Sequence, residues 1–170
     1  MAETAIRVLG IDTSLRSTGY AVIEARGSRL TMVEQGCLRM PDRLSVAECL
    51  VKLQAAMAEI LGRTLPTEVA IEGIFFCKNV KTAVILGETR GAVIAACASR
   101  GLAIYEHAPR RVKQAVVGSG SADKSQVRKM VMSILGLREE PQEDAGDALA
   151  IAICHVHSRT AYAALAPKAM

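Results

Sequence analysis

Apolar and polar residues alternate along this chain with two different periods. Residues 5–12, AIRVLGID, form a near-continuous apolar run ending at a carboxylate, the pattern of a strand buried on both faces. The turn-rich TSLRSTG leads to a second strand in YAVIEA, and a turn at Gly27 and Ser28 leads to a third from Arg29 to Arg39. Three strands in succession predict an antiparallel meander. The period then lengthens: Leu44, Leu50, Leu53, Met57, Ile60 and Leu61 recur at helical spacing, between Asp42 placed to cap and Gly62 placed to stop. EVAIE reads as a strand, residues 80–100 as a long helix and LAIYEH as another strand. Three helices follow, around 111–117, 124–137 and from Asp144 onward.

The order βββαβαβααα, with no linker or repeat inside it, predicts a single α/β domain over residues 1–160, with 161–170 as a flexible tail. The expected architecture is a mixed five-stranded sheet, the meander plus two parallel strands, with helices on both faces. Apolar residues make up 51% and aromatics only 3%, so the core must be built from Ala, Val, Leu and Ile. No apolar stretch is long enough to span a membrane, and the N-terminal MAETAIRV lacks the pattern of a signal peptide, so the protein is expected to be cytoplasmic. The five cysteines form no CxxC pair, which argues against a zinc site or a disulfide framework. His155 and His157 in CHVH suggest metal ligands, but two residues apart on a helix they point about 200° from each other.

Charge sharpens this picture. The net charge is only +4, yet one segment concentrates Arg110, Arg111, Lys113, Lys124, Arg128 and Lys129 against the single acid Asp123. A polyanionic partner is expected there. Four acids stand at element boundaries: Asp12 and Glu72 end strands, while Asp144 and Asp147 share a face at the start of the last helix. Singly, each has an ordinary role as turn former, solvated strand end or helix cap. In a sheet of this kind the ligand crevice lies at the carboxyl ends of strands, and if the first and fourth strands are neighbours all four acids can converge there. Clustered carboxylates repel one another unless a cation shares the space, and Mg²⁺ takes hard oxygen ligands of this kind. A pair of such ions about 4 Å apart serves displacement at phosphorus, so the expectation is a metal-dependent nuclease acting on a phosphodiester backbone.

The same residues carry a family resemblance. GID with STGYAVI, AIEGIFFCKN, LGETRGA, RVKQAVVGSGSADKSQV and PQEDAGDALAIAICHVH, in this order over roughly residues 6–158, resemble the RuvC family, bacterial Holliday-junction endonucleases of the RNase H-like superfamily. The resemblance implies an RNase H-like fold, a homodimer, and symmetric nicking of a four-way DNA junction beside the RuvA and RuvB branch-migration proteins. It also implies Asp12, Glu72, Asp144 and Asp147 as ligands of one or two Mg²⁺ ions, for which Mn²⁺ substitutes. Lys113 and Lys124 are implied near the scissile phosphate, and Phe75 against unstacked bases. Lys78, Asn79 and Arg111 are further expected DNA contacts. GSGSADK lacks the spacing of a phosphate loop and reads as a flexible connection delivering Lys124. One departure is plain: the family usually follows its first aspartate with Pro-Gly, where this chain has Thr13 and Ser14, so this turn is expected to follow another path.

Two other classes compete. Sugar-kinase and actin-like ATPases open on a similar strand and turn, but they need a second lobe that 170 residues do not provide. A non-catalytic junction-binding protein of the same fold is expected to have lost one or more of the acids, and all four are present.

Overall fold

The computed structural model describes residues 5–74, 79–159 and 168–170. In chain order the elements are β1 (Ile6–Asp12), β2 (Ser17–Arg26), β3 (Arg29–Arg39), α1 (Val46–Thr64), β4 (Glu68–Glu72), α2 (Val80–Ala98), β5 (Ala103–His107), α3 (Pro109–Val117), α4 (Lys124–Leu135) and α5 (Glu143–Arg159). The sheet order is β3-β2-β1-β4-β5. β1, β2 and β3 form the antiparallel meander, and β4 and β5 extend it in parallel from β1. This is the mixed five-stranded sheet that the hydrophobic pattern predicts.

Alternation along the central strand explains the two cores. Val8 packs with α3, α4 and α5 on one face, among Ala70, Val112, Val131 and Leu149. Its neighbour Leu9, with Ile11, faces α1 and α2 on the other, among Leu53, Met57, Ile60 and Val93. A strand with neighbours on both edges and helices on both faces has no solvated side, hence its unbroken apolar run.

α5 lies unusually close to the sheet because two glycines make room for it. A Cβ on Gly10 would stand 2.1 Å from the Ala148 carbonyl oxygen, and one on Gly19 2.0 Å from that of Asp144. Any side chain at either position would push the helix off β1 and β2. Through this contact the first turn of α5 is held against the strand ends.

Several boundaries differ from the sequence expectation, each for a local reason. Ser45, not Asp42, caps α1: its hydroxyl accepts from the Glu48 N–H while the Glu48 carboxylate accepts from the Ser45 N–H, a reciprocal box that satisfies two end donors. Gly62 does not stop the helix, which runs on to bury Thr64 and ends at Leu65 (φ 49°), where the following Pro66 disfavours another helical residue. β2 starts three residues early, at Ser17. Of the C-terminal segment, Ala169 bridges Tyr105 and the Met170 N–H donates to the Ile104 carbonyl at 2.9 Å, both on the outer edge of β5.

The two histidines of CHVH turn to different partners. His157 Nδ1 lies 2.9 Å from the Ala115 carbonyl oxygen. His155 is fully buried, with Nε2 2.6 Å from Glu68 and Nδ1 3.1 Å from His107 Nε2. Arg159 closes this network from the far oxygen of Glu68. Burial pulls both His107 and His155 down to about 4, so both rings are neutral around pH 7.

Candidate active site

The parallel register of β1 and β4, in which Ile11 stands opposite Ile71, brings the ends of the two strands together and with them Asp12 and Glu72. Asp12 is also paired with Gly19 across β2, and Gly19 carries the Asp144 backbone of α5. One turn on, Asp147 faces the same space. Asp12, Glu72 and Asp147, with Lys113 of α3 and Lys124 of α4, line a cavity of about 300 Å³ floored by Pro109, Val112, Val127 and Ala150. A second recess, lined by Asp12, Thr13, Glu72, Gly73, Ile74 and Leu86, opens beside it.

Electrostatics mark this cavity as a place short of positive charge. Burial, reinforced by Asp147, Glu72 and Asp144, pushes the Asp12 carboxyl up to about 7. Glu72 is raised by burial and by Asp147, with Lys124 and Lys113 pulling the other way. Asp147 is also raised, mainly by burial, against the pull of Lys124. The Lys124 ammonium lies 2.8 Å from Glu143 and 3.5 Å from Asp147, bonds that hold it protonated. Asp144 accepts a hydrogen bond from the Ser17 hydroxyl of β2.

The donor set consists of hard, anionic oxygens, which fits a divalent cation such as Mg²⁺ better than a softer metal. The fit is chemical rather than geometric: among the described residues, no three Asp, Glu, His or Cys side chains already close into a cage around one point. Three of the acids line one cavity, where burial first and their neighbours' charge second raise the carboxyls of Asp12, Glu72 and Asp147.

Other residues singled out from the sequence fall in varied places. Asn79 caps α2, its side-chain oxygen accepting from the Thr82 N–H at 3.2 Å. Arg111 does not line the cavity; its charge adds a little to the lowering of buried His107 and pulls weakly against burial at Cys154, whose thiol is pushed up to about 11. Phe75 and Lys78 lie outside the described residues. GSGSADK is a structured turn rather than slack chain: Gly118 (φ 82°) ends α3, the Ser119 and Ser121 hydroxyls are 3.0 Å apart, and Asp123 forms a capping box with Gln126. Lys124 is thereby fixed at the first residue of α4. At the departure from Pro-Gly, Thr18 Oγ1 donates to the Ser14 carbonyl and accepts from the Ser14 N–H at 3.3 Å, closing the turn by side chain. Ser14 has no positive φ, so glycine is not needed there. Sequence reasoning missed Ser17 and Glu143 as partners of the acids and lysine, although both lie inside the quoted blocks.

The family model described as crossover junction endodeoxyribonuclease RuvC matches residues 8–155, most of the chain. The chain belongs to the RuvC family. A RuvC from Halorhodospira halophila is 46% identical over 155 residues, covering 91% of this chain and 92% of the relative. One from Marinobacter nauticus is 47% identical over 150 residues, covering 88% and 85%. The solved structure of Thermus thermophilus RuvC in complex with a Holliday junction substrate matches with a TM-score of 0.90 at 31% identity, over 97% of this chain and 99% of that one. The five-stranded sheet and its helices are therefore those of RuvC, an RNase H-like fold, and the family is one of nucleases.

Proposed function

We propose that this chain resolves four-way DNA junctions by symmetric, metal-dependent hydrolysis of phosphodiester bonds in two strands, with the cavity between β1, β4 and α5 as the cutting site. The observation that carries the reading is the meeting of Asp12, Glu72 and Asp147 with Lys113 and Lys124 in one cavity, with Asp144 beside it. Asp12, Glu72, Asp144 and Asp147 are the residues that hold one or two Mg²⁺ ions, or Mn²⁺ in their place. Such an ion, when bound, supplies charge stabilisation at phosphorus and a more acidic water. Asp12, pushed up to about 7, would have to be deprotonated to hold such an ion. Ser17 holds the Asp144 carboxylate toward the sheet. Lys113 and Lys124 meet the phosphate, where charge grows between ground and transition state.

Phe75 is assigned to stacking against bases at the crossover on the strength of the family resemblance, Lys78 and Asn79 to DNA contacts from their place just past Phe75, and Arg111 from its place in the basic segment. Asn79 can serve from its cap through its side-chain NH2, since the cap engages its oxygen. Arg111 is the weakest of these, because it does not line the cavity. A second copy of the chain supplies the second nick, and RuvA and RuvB are the expected partners. Among the described residues no helix is long and apolar enough to cross a membrane, in keeping with an enzyme working on DNA in the cytoplasm.

The test is digestion of a synthetic junction with Mg²⁺, with products mapped on all four strands. Paired nicks at symmetric positions are expected; binding without cutting would favour a junction-binding protein instead.

A further inference from the structure

Glu72 is held from behind by a buried charge. Arg90, on α2, is only 8% exposed, and its guanidinium donates from Nη1 to the Glu72 main-chain carbonyl and from Nη2 to the Glu106 carboxylate of β5. The β1–β4 ladder stops at the Ile11–Ile71 pair, so Arg90 takes up the carbonyl just past its end. Burying a guanidinium is costly unless its donors are met, and here the partners include the very peptide that carries a site carboxylate. The planar fork spans two acceptors at once, which a lysine ammonium on its single flexible stem does not reproduce.

The geometry points to Arg90 as the positioning residue for Glu72: it ties the end of β4 to α2 and, through Glu106, to β5, so that the Glu72 carboxylate leaves the sheet in one direction. This rests on the reading above that Glu72 holds metal. Groups that orient a ligand without touching the ion typically cost roughly 10- to 100-fold in metal affinity when lost. A purely structural ion pair behaves differently, since removing either partner would lower stability and leave metal binding alone.

The test is Mn²⁺ binding to the DNA-free protein, followed by the electron paramagnetic resonance signal of free Mn²⁺, below the melting transition of every variant. Arg90→Lys is expected to weaken binding by roughly 10- to 100-fold while junction affinity in EDTA stays as in the unsubstituted chain. Glu106→Gln removes the same ion pair but leaves the grip on the Glu72 carbonyl, so it should weaken Mn²⁺ binding far less. Equal weakening in these two variants overturns the inference, because the ion pair would then be the cause. So does unchanged binding in Arg90→Lys where Glu72→Gln has lost it. Unchanged binding in Glu72→Gln itself removes the underlying site reading, a failure distinct from the other two.

Discussion

At its first turns α5 presents Asp147 to a cavity already holding Asp12 and Glu72, with Asp144 beside it; at its last turns it places His155 and Arg159 around Glu68. Both ends bring ionisable groups together, with opposite results. At the far end each group has a partner of complementary kind, and His155 is neutral and fully buried. At the near end carboxylates gather beside Lys113 and Lys124, and burial, reinforced by the neighbouring like charges, raises Asp12, Glu72 and Asp147. A fold gains nothing in stability from crowding carboxylates, which is why perturbed acids in a cleft mark a functional site. The comparison teaches that burial alone does not distinguish structure from function; whether the charges balance does.

The most severe way to break the near end is to remove its acids. Asp12→Asn, Glu72→Gln, Asp144→Asn and Asp147→Asn should each lower junction cleavage by more than about a hundredfold, since groups that merely orient a ligand already cost about 10- to 100-fold. Binding in EDTA should change little, because duplex affinity comes mainly from Lys and Arg on phosphates. A variant that cuts normally with Mg²⁺ removes its residue from the site.

Removing the compensating cations should do less. Lys113→Ala and Lys124→Ala are expected to slow single-turnover cleavage by roughly 10- to 100-fold while weakening binding less, because groups that act on developing charge affect the rate more than ground-state binding. Equal losses in rate and affinity would reduce both to plain backbone contacts.

Titration sharpens the contrast without removing any side chain. Since a protonated Asp12 cannot ligate, Mn²⁺ affinity should fall as pH drops through about 7, by up to roughly tenfold per pH unit. The same titration on Asp12→Asn should lose that component; an unchanged curve would show that Asp12 is not the titrating group.

The far end should report through stability instead. His107 and His155 titrate near 4 in the fold and near 6.5 when unfolded, so below about 6.5 the unfolded chain takes up protons that the folded one refuses. Stability is therefore full above 6.5 and declines as pH falls toward 4, by at most about 1.4 kcal/mol per pH unit for each imidazole. Urea melts across this range should show a shallower slope in His155→Gln, with cleavage at pH 8 little altered. An identical slope would mean that the imidazole is not neutral in the fold.

How much of this was legible in advance follows the range of the interactions involved. The sequence alone determined the order of the ten elements, the two-faced burial of β1, and the placing of all four acids at element ends, because hydrophobic period and turn chemistry act over a few neighbouring residues. It also carried the family, through blocks too long to match by chance. Tertiary structure decided what those residues meet: Ser17 on Asp144 from 127 positions away, Glu68 on His155 from 87, and Arg90 on the carbonyl of Glu72. No local rule reaches these pairings, since each depends on strand register and on how closely the glycines let α5 approach the sheet. Whether a charge in this protein is neutralised or left in want of a cation is settled by contacts made only after the chain has folded.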